Sequence, residues 1–228
     1  MIDQYYLPVL LGIIISFASY YSRKLSIKHK GYSRKIVSFS AGVSITYVLL
    51  ELFPNFTEAA ISLSRFIYIS IPLGFIIHHI IEKEIYKHNS KVELVRMLSL
   101  EETVFSFVYH IIIGIILVTF ARGSATEAIL FSIPMISYTF LSNLPANPHP
   151  LKAKAIFLSS ATLIGTAIAI IWRNIPIEVE FSLIGIAIGV LLYTVIRHHI
   201  PFGKKGHIGY FTLSFILYTL LIVASWYF

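Results

Sequence analysis

The chain of 228 residues contains no cysteine and only one aspartate, Asp3. The first absence excludes disulfides and thiolate metal ligands; the second excludes a pair of intramembrane aspartates as an acid–base device. Charge is also scarce, with 13% of residues charged against 57% hydrophobic and a mean hydropathy of +0.79. A soluble domain has too little core to hide that much apolar surface, so the composition places the chain in a lipid bilayer. The apolar stretches are long and do not alternate, which excludes an outer-membrane barrel and leaves helices whose backbone groups are satisfied internally. H-E-x-x-H, G-x-S-x-G and phosphate-loop motifs are all missing, so no enzyme and no cofactor is expected. A Ser132–His110 dyad can be drawn, but the sequence supplies neither an oxyanion hole nor a glycine-flanked nucleophile for it.

What is present is a series of apolar runs. Eight segments reach the ~20 residues a membrane helix requires: 5–22, 35–54, 64–82, 103–121, 125–144, 152–172, 179–198 and 207–227. The expected fold is therefore an all-α polytopic bundle of eight spans forming one domain, 1–228. The first span has no basic residues ahead of it and reads as a retained helix rather than a cleaved signal. Residues 83–102 form a charged connection, expected as a surface helix. Of the 18 Lys and Arg residues, 15 fall in alternate connections, and only Arg65, Arg122 and Arg173 lie on the other side. This bias puts the basic loops in the cytoplasm and both termini on the non-cytoplasmic side. The net charge of +7 then reflects the membrane surface, and no nucleic-acid partner is needed.

Two spans share a pattern. "GVSITYVLLELFP" runs from Gly42 to Pro54 and "GVLLYTVIRHHIP" from Gly189 to Pro201, with Gly, Val and Pro at identical offsets. Ser38 and Gly185 stand four residues before the two glycines, giving small-xxx-small faces that allow close helix approach. In an eight-span layout these copies run in opposite directions. That predicts three spans, a central pair and three inverted spans, with a site at mid-depth.

"SAGVSITYVLLELFP" and "LKAKAIFLSSATLIGTAIAI" resemble spans two and six of the ZIP (zinc/iron permease) family, and the layout of nearly the whole chain is similar to that family. The resemblance implies an eight-span, 3+2+3 permease for divalent metals, lined by spans four and five and plausible as a homodimer. In span five "FSIPMI" keeps the family's Ile-Pro at Ile133 and Pro134, while Phe131, Ser132, Met135 and Ile136 stand where four metal-binding side chains are expected. In span four "YHIIIG" answers the family's His-Asn-x-x-Asp/Glu-Gly, with Tyr109, His110, Ile113 and Gly114 at its polar and glycine positions. A divalent ion leaving water needs several N or O donors and nearby negative charge. No carboxylate lies at mid-depth in these two spans, so a family-type binuclear site is not expected.

The polar residues that remain define the expected path: Tyr109, His110, Ser132, Met135, Thr139 and Asn143, with Pro134 as the helix kink because it frees the carbonyl of Leu130. His110, with Ser106 and Gly114 on its face, can serve as a metal ligand, a proton carrier or half of a hydrogen bond. Ser132 and Ser137 either line the path or repair the backbone around the proline. Glu51 near the outer end of span two and His198 with His199 near the inner end of span seven are gate candidates, though both positions are close to solvent. His78, His79 and His88 suggest a cytosolic patch, weakly, because adjacent histidines face different sides of a helix. Two functions follow: a divergent permease for a divalent cation or small solute, or a transport-inactive ZIP-like scaffold or regulatory partner.

Overall fold

A computed structural model describes residues 3–24, 30–88, 91–142, 152–200 and 206–227. Among these the chain is helical throughout, with short turns only. Helix α1 spans Asp3–Lys24 and α2 Lys30–Tyr47; α2 continues through a π-helical turn, Val48–Leu52, into α3, Phe53–Leu63. After a 3-10 turn at Arg65–Ile69 come α4, Ser70–His88, and α5, Lys91–Gly123. Then follow α6 (Ala125–Ser142), α7 (Lys152–Ser159), α8 (Ala161–Ile171), α9 (Ile177–Thr194) with a second π turn at Val195–His199, and α10 (Ile208–Ser225).

Six of these stretches are long and apolar enough to cross a membrane: Tyr5–Ser22, Arg34–Leu63, Arg65–Lys87, Thr103–Gly123, Ile177–Arg197 and Ile208–Ser225. The fifth expected span, 125–144, holds α6, an 18-residue helix that is not among those six. The sixth is divided at Ser160 into α7 and α8, of 8 and 11 residues. The interruption is a single residue: the ladder still runs from Ser160 N–H to Ile156 O at 3.0 Å and from Ile164 N–H to Ser160 O at 2.9 Å, while the Ser159 and Ser160 hydroxyls also donate to the carbonyls of Ile156 and Phe157 at 3.0 and 2.8 Å. The charged connection at 83–102 is not a separate surface helix. Residues 83–88 extend α4, and 91–102 are the opening turns of α5, which runs unbroken for 33 residues. Lipid-facing character is plain on α1 and α10, where Leu10, Phe17, Leu213, Ile216, Leu217 and Leu220 are all exposed.

The bundle packs mainly in pairs: α5 on α8, α10 on α2, α4 on α9, and α1 on α6. Small residues set three of these crossings; in α5 on α8, a side chain on Gly114 or Gly165 would overlap the carbonyl oxygen of Thr162 or Ile111. A side chain on Gly189 would overlap the Ile71 carbonyl oxygen and come within 2.7 Å of the Phe75 amide nitrogen, so α9 lies backbone to backbone on α4. Gly42 mirrors it on α10, where a Cβ would overlap Ser214 Oγ and approach Phe211 O at 2.5 Å and Phe215 N at 3.1 Å. Four residues before each glycine the approach is equally close: Gly185 meets Ser70, and Ser38 Oγ accepts the His207 amide at 2.9 Å. The π turns also match, each beginning six residues after its glycine, at Val48 and Val195. In both, the residue ahead of a proline donates five residues back, Phe53 to Val48 and Ile200 to Val195. Proline offers no N–H to continue the ladder, which lets its neighbour take the longer bond.

Candidate functional site in the central helix pair

His110 is 2% exposed and bonds on both ring nitrogens. Nδ1 lies 2.5 Å from the Ser106 carbonyl oxygen and 3.3 Å from Ser106 Oγ, while Nε2 lies 2.9 Å from Thr139 Oγ1 on α6. A carbonyl can only accept, so Nδ1 carries the proton, and a neutral ring then accepts from the Thr139 hydroxyl at Nε2. This bond links α5 to α6 at depth. One residue earlier, the Tyr109 hydroxyl points to Met135 Sδ at 4.0 Å. Tyr109, His110, Met135 and Thr139 are buried and meet between α5 and α6, and Ser132 is buried on α6. Asn143 lies outside the described residues.

The space around them is filled by rings. Phe131 packs against Tyr47 of α2 at 6.0 Å between centroids and against Phe120 of α5 at 5.3 Å; Tyr109 packs against Tyr138 at 5.3 Å. Phe131, Met135 and Ile113 are each no more than 1% exposed, so the positions with no donor are occupied by packed apolar groups. Among the described residues, no group of three His, Cys, Asp or Glu side chains could hold a metal ion. Ser132 and Ser137 donate to the carbonyls of Ile129 and Ile133 at 2.8 and 3.1 Å. They serve their own helix.

Pro134 sits inside α6, which continues through it. The carbonyl it frees, that of Leu130, accepts a 2.6 Å hydrogen bond from the Tyr218 hydroxyl of α10. The orphaned acceptor is therefore satisfied across the bundle by a residue 88 positions away. Sequence reading located the defect and missed the partner.

Glu51 is half-buried in the first π turn, with Asn55 Nδ2 and Trp226 Nε1 each at 3.5 Å from its carboxylate. His198 and His199 fall in the second π turn, and their side chains lie outside the described residues. Where α4 meets α9, a carboxyl group missed in the sequence is buried. Glu82, the last residue of the third expected span, is 4% exposed; it receives Arg197 Nε at 2.9 Å and the Tyr193 hydroxyl. His78 stacks on Phe105 of α5 at 4.9 Å and lies 3.6 Å from the Glu101 carboxylate. The only available signal was the helical spacing of His78 and Glu82, one turn apart on α4. On the opposite side, Arg122 of α5 bridges Glu180 of α9 at 3.1 Å and the Ala169 carbonyl of α8 at 2.8 Å.

Helical among its described residues, with six helices long and apolar enough to cross a bilayer and large hydrophobic side chains on its outer face, the chain has the build of a multi-pass membrane protein. No family model matches it, and no curated protein matches it in sequence.

Proposed function

We propose that this is a ZIP-like permease of 3+2+3 inverted-repeat plan that works by alternating access, with α1, α5, α6 and α8 moving as one block against α2, α4, α9 and α10. The observation that carries the reading is the matched pair of crossings: Gly42 on Phe211 and Phe215, Gly189 on Ile71 and Phe75, each followed by a π turn at the same offset. Equivalent contacts in two copies are what an inverted repeat produces, and such repeats place a path at their interface. Two ion pairs support the block division, because both cross it at opposite ends: His78–Glu101 joins α4 to α5, and Arg122–Glu180 joins α5 to α9. Each can open while the other stays closed.

The cargo follows from the donors. Mid-depth α5 and α6 offer one imidazole, hydroxyls and a thioether, a set suited to a small solute or a loosely held cation rather than to a tightly chelated dication. His110 is its central polar group, with Glu51 and the His198–His199 turn at the two mouths. Reconstituted into liposomes, the protein is expected to admit zinc, manganese, cadmium or a small neutral solute faster than protein-free vesicles, with slower uptake for His110→Ala. A specific observation favours the second reading, a transport-inactive scaffold: both His110 nitrogens are satisfied and rings close the centre. Absence of any uptake, together with no thermal stabilisation by divalent ions, would decide for the scaffold.

A further inference from the structure

His78 of α4 sits where three helices meet. Its ring stacks on Phe105 of α5, with centroids 4.9 Å apart and planes within 6°, and meets the Tyr193 ring of α9 at 4.8 Å. Nε2 lies 3.6 Å from the carboxylate of Glu101, which stands one turn before Phe105 on α5. The two side chains are 14% and 7% exposed, so water reaches the imidazole while the carboxylate is covered. Each helix supplies two groups one turn apart: His78 and Glu82, Glu101 and Phe105, Tyr193 and Arg197. Glu82 receives Arg197 Nε at 2.9 Å and the Tyr193 hydroxyl. The carboxylate in ion-pair reach of the imidazole is Glu101, from a different helix. His110 differs, since its ring meets a carbonyl and a hydroxyl, neither of which is charged.

We propose that His78 and Glu101 form a proton-binding latch between α4 and α5, closed when the imidazole takes up a proton and released when it gives the proton back. It rests on the alternating-access reading for its purpose, since α4 and α5 belong to the two blocks, but its test reads helix separation and not transport. A charge-assisted N–H bond to a carboxylate closes at about 2.7–2.9 Å. At 3.6 Å the pair is aligned and short of that contact, held in place by the ring stack. One proton arriving from water makes an N–H bond on the imidazole, raises the charge of the pair by one and draws ring and carboxylate together. Its loss removes that attraction and favours hydration of Glu101, which needs α5 to part from α4. Imidazole is the side chain whose ordinary titration falls between about pH 5 and 8, so the latch answers to small changes near neutrality. The other groups around the ring are Glu82 and Arg197, paired with each other, and Tyr193, which donates to Glu82. His79 meets the Tyr193 ring at 5.7 Å, and Lys83, Glu84 and Lys87 of α4 are exposed. The Arg65–Ile69 turn packs where α4 begins, well before His78. Arg122–Glu180, the other pair that joins the two blocks, holds no imidazole, so the proton acts on one of the two closures.

The chain has no cysteine, so Ile80→Cys on α4 and Leu100→Cys on α5, both at exposed positions, give one pair of spin labels on the full chain in liposomes. The label separation, read by electron paramagnetic resonance, is expected to lengthen by a few ångströms between about pH 5.5 and about pH 8.5, either side of the imidazole range. His78→Phe keeps a ring on Phe105 and binds no proton; Glu101→Gln keeps the shape of the side chain and loses its charge. In each, the separation should be the same at both pH values. His79→Gln, one residue away, should respond as the labelled parent does. The latch is overturned if the parent's separation ignores pH, if the response survives in His78→Phe or Glu101→Gln, or if it is His79→Gln that abolishes it. Solute uptake in the same liposomes separates the two readings. A separation that follows pH in a protein admitting no solute keeps the latch and removes the permease, whereas uptake by a protein whose separation ignores pH removes the latch alone.

Discussion

Gly189→Ala is expected to be among the most damaging single substitutions in this protein, with a loss of about 3 kcal/mol or more and a steep fall in the monodisperse fraction on size-exclusion chromatography. Overpacking ordinarily costs about 1–3 kcal/mol because side chains yield. Here the obstacle is the Ile71 carbonyl and the Phe75 amide, parts of a helix backbone that has no rotamer to change. The added methyl must push α9 from α4 along its length. Gly42→Ala should be milder, because one of the atoms it meets, Ser214 Oγ, belongs to a side chain that can rotate. Gly209→Ala is the control: nothing lies within 4 Å of its would-be methyl, and alanine is the better helix former by about 1 kcal/mol. A thermal shift for Gly189→Ala no larger than for Gly209→Ala would contradict the backbone-to-backbone crossing.

The second large effect lies at the proline. Tyr218→Phe removes the hydroxyl that satisfies Leu130 O and leaves a buried carbonyl unpaired, a loss of about 1–3 kcal/mol. Pro134→Ala restores an N–H at position 134, which reaches Leu130 O through the ordinary helical ladder. In Pro134→Ala, then, Tyr218 is no longer needed for that acceptor, and the cost of Tyr218→Phe should largely vanish. The four proteins form a double-mutant cycle read by thermal unfolding in detergent, with an expected coupling of about 1–2 kcal/mol. Strict additivity would mean that Tyr218 only packs.

These particulars show where sequence reasoning reaches. Hydropathy located the apolar runs, and the Gly–Val–Pro spacing pointed to Gly42 and Gly189 before any contact was visible. It misplaced helix ends for a physical reason: charges report where water begins, not where a helix stops, so Glu93 and Glu101 hid the fact that α5 starts before them. The interruption at Ser160 is a single residue, which hydropathy averaged over a span does not register. At the site, the residue types on α5 and α6 gave the buried group around His110, because polar residues at depth are few. Its partners were less accessible. Thr139 was marked as path-lining without its bond to His110, and neither the Tyr218 bond to Leu130 nor the burial of Glu82 beneath Arg197 has a local signature. Such pairings come from tertiary placement alone.

The length of α5 has a mechanical consequence. At a rise of about 1.5 Å per residue, its 33 residues make a rod of about 50 Å, against a hydrocarbon layer of about 30 Å. A shaft with no joint therefore carries His110 within the membrane and Glu93 well outside it, so a torque applied to the aqueous stub is delivered directly to the imidazole. Anything that grips that stub holds a crank on the centre of the molecule.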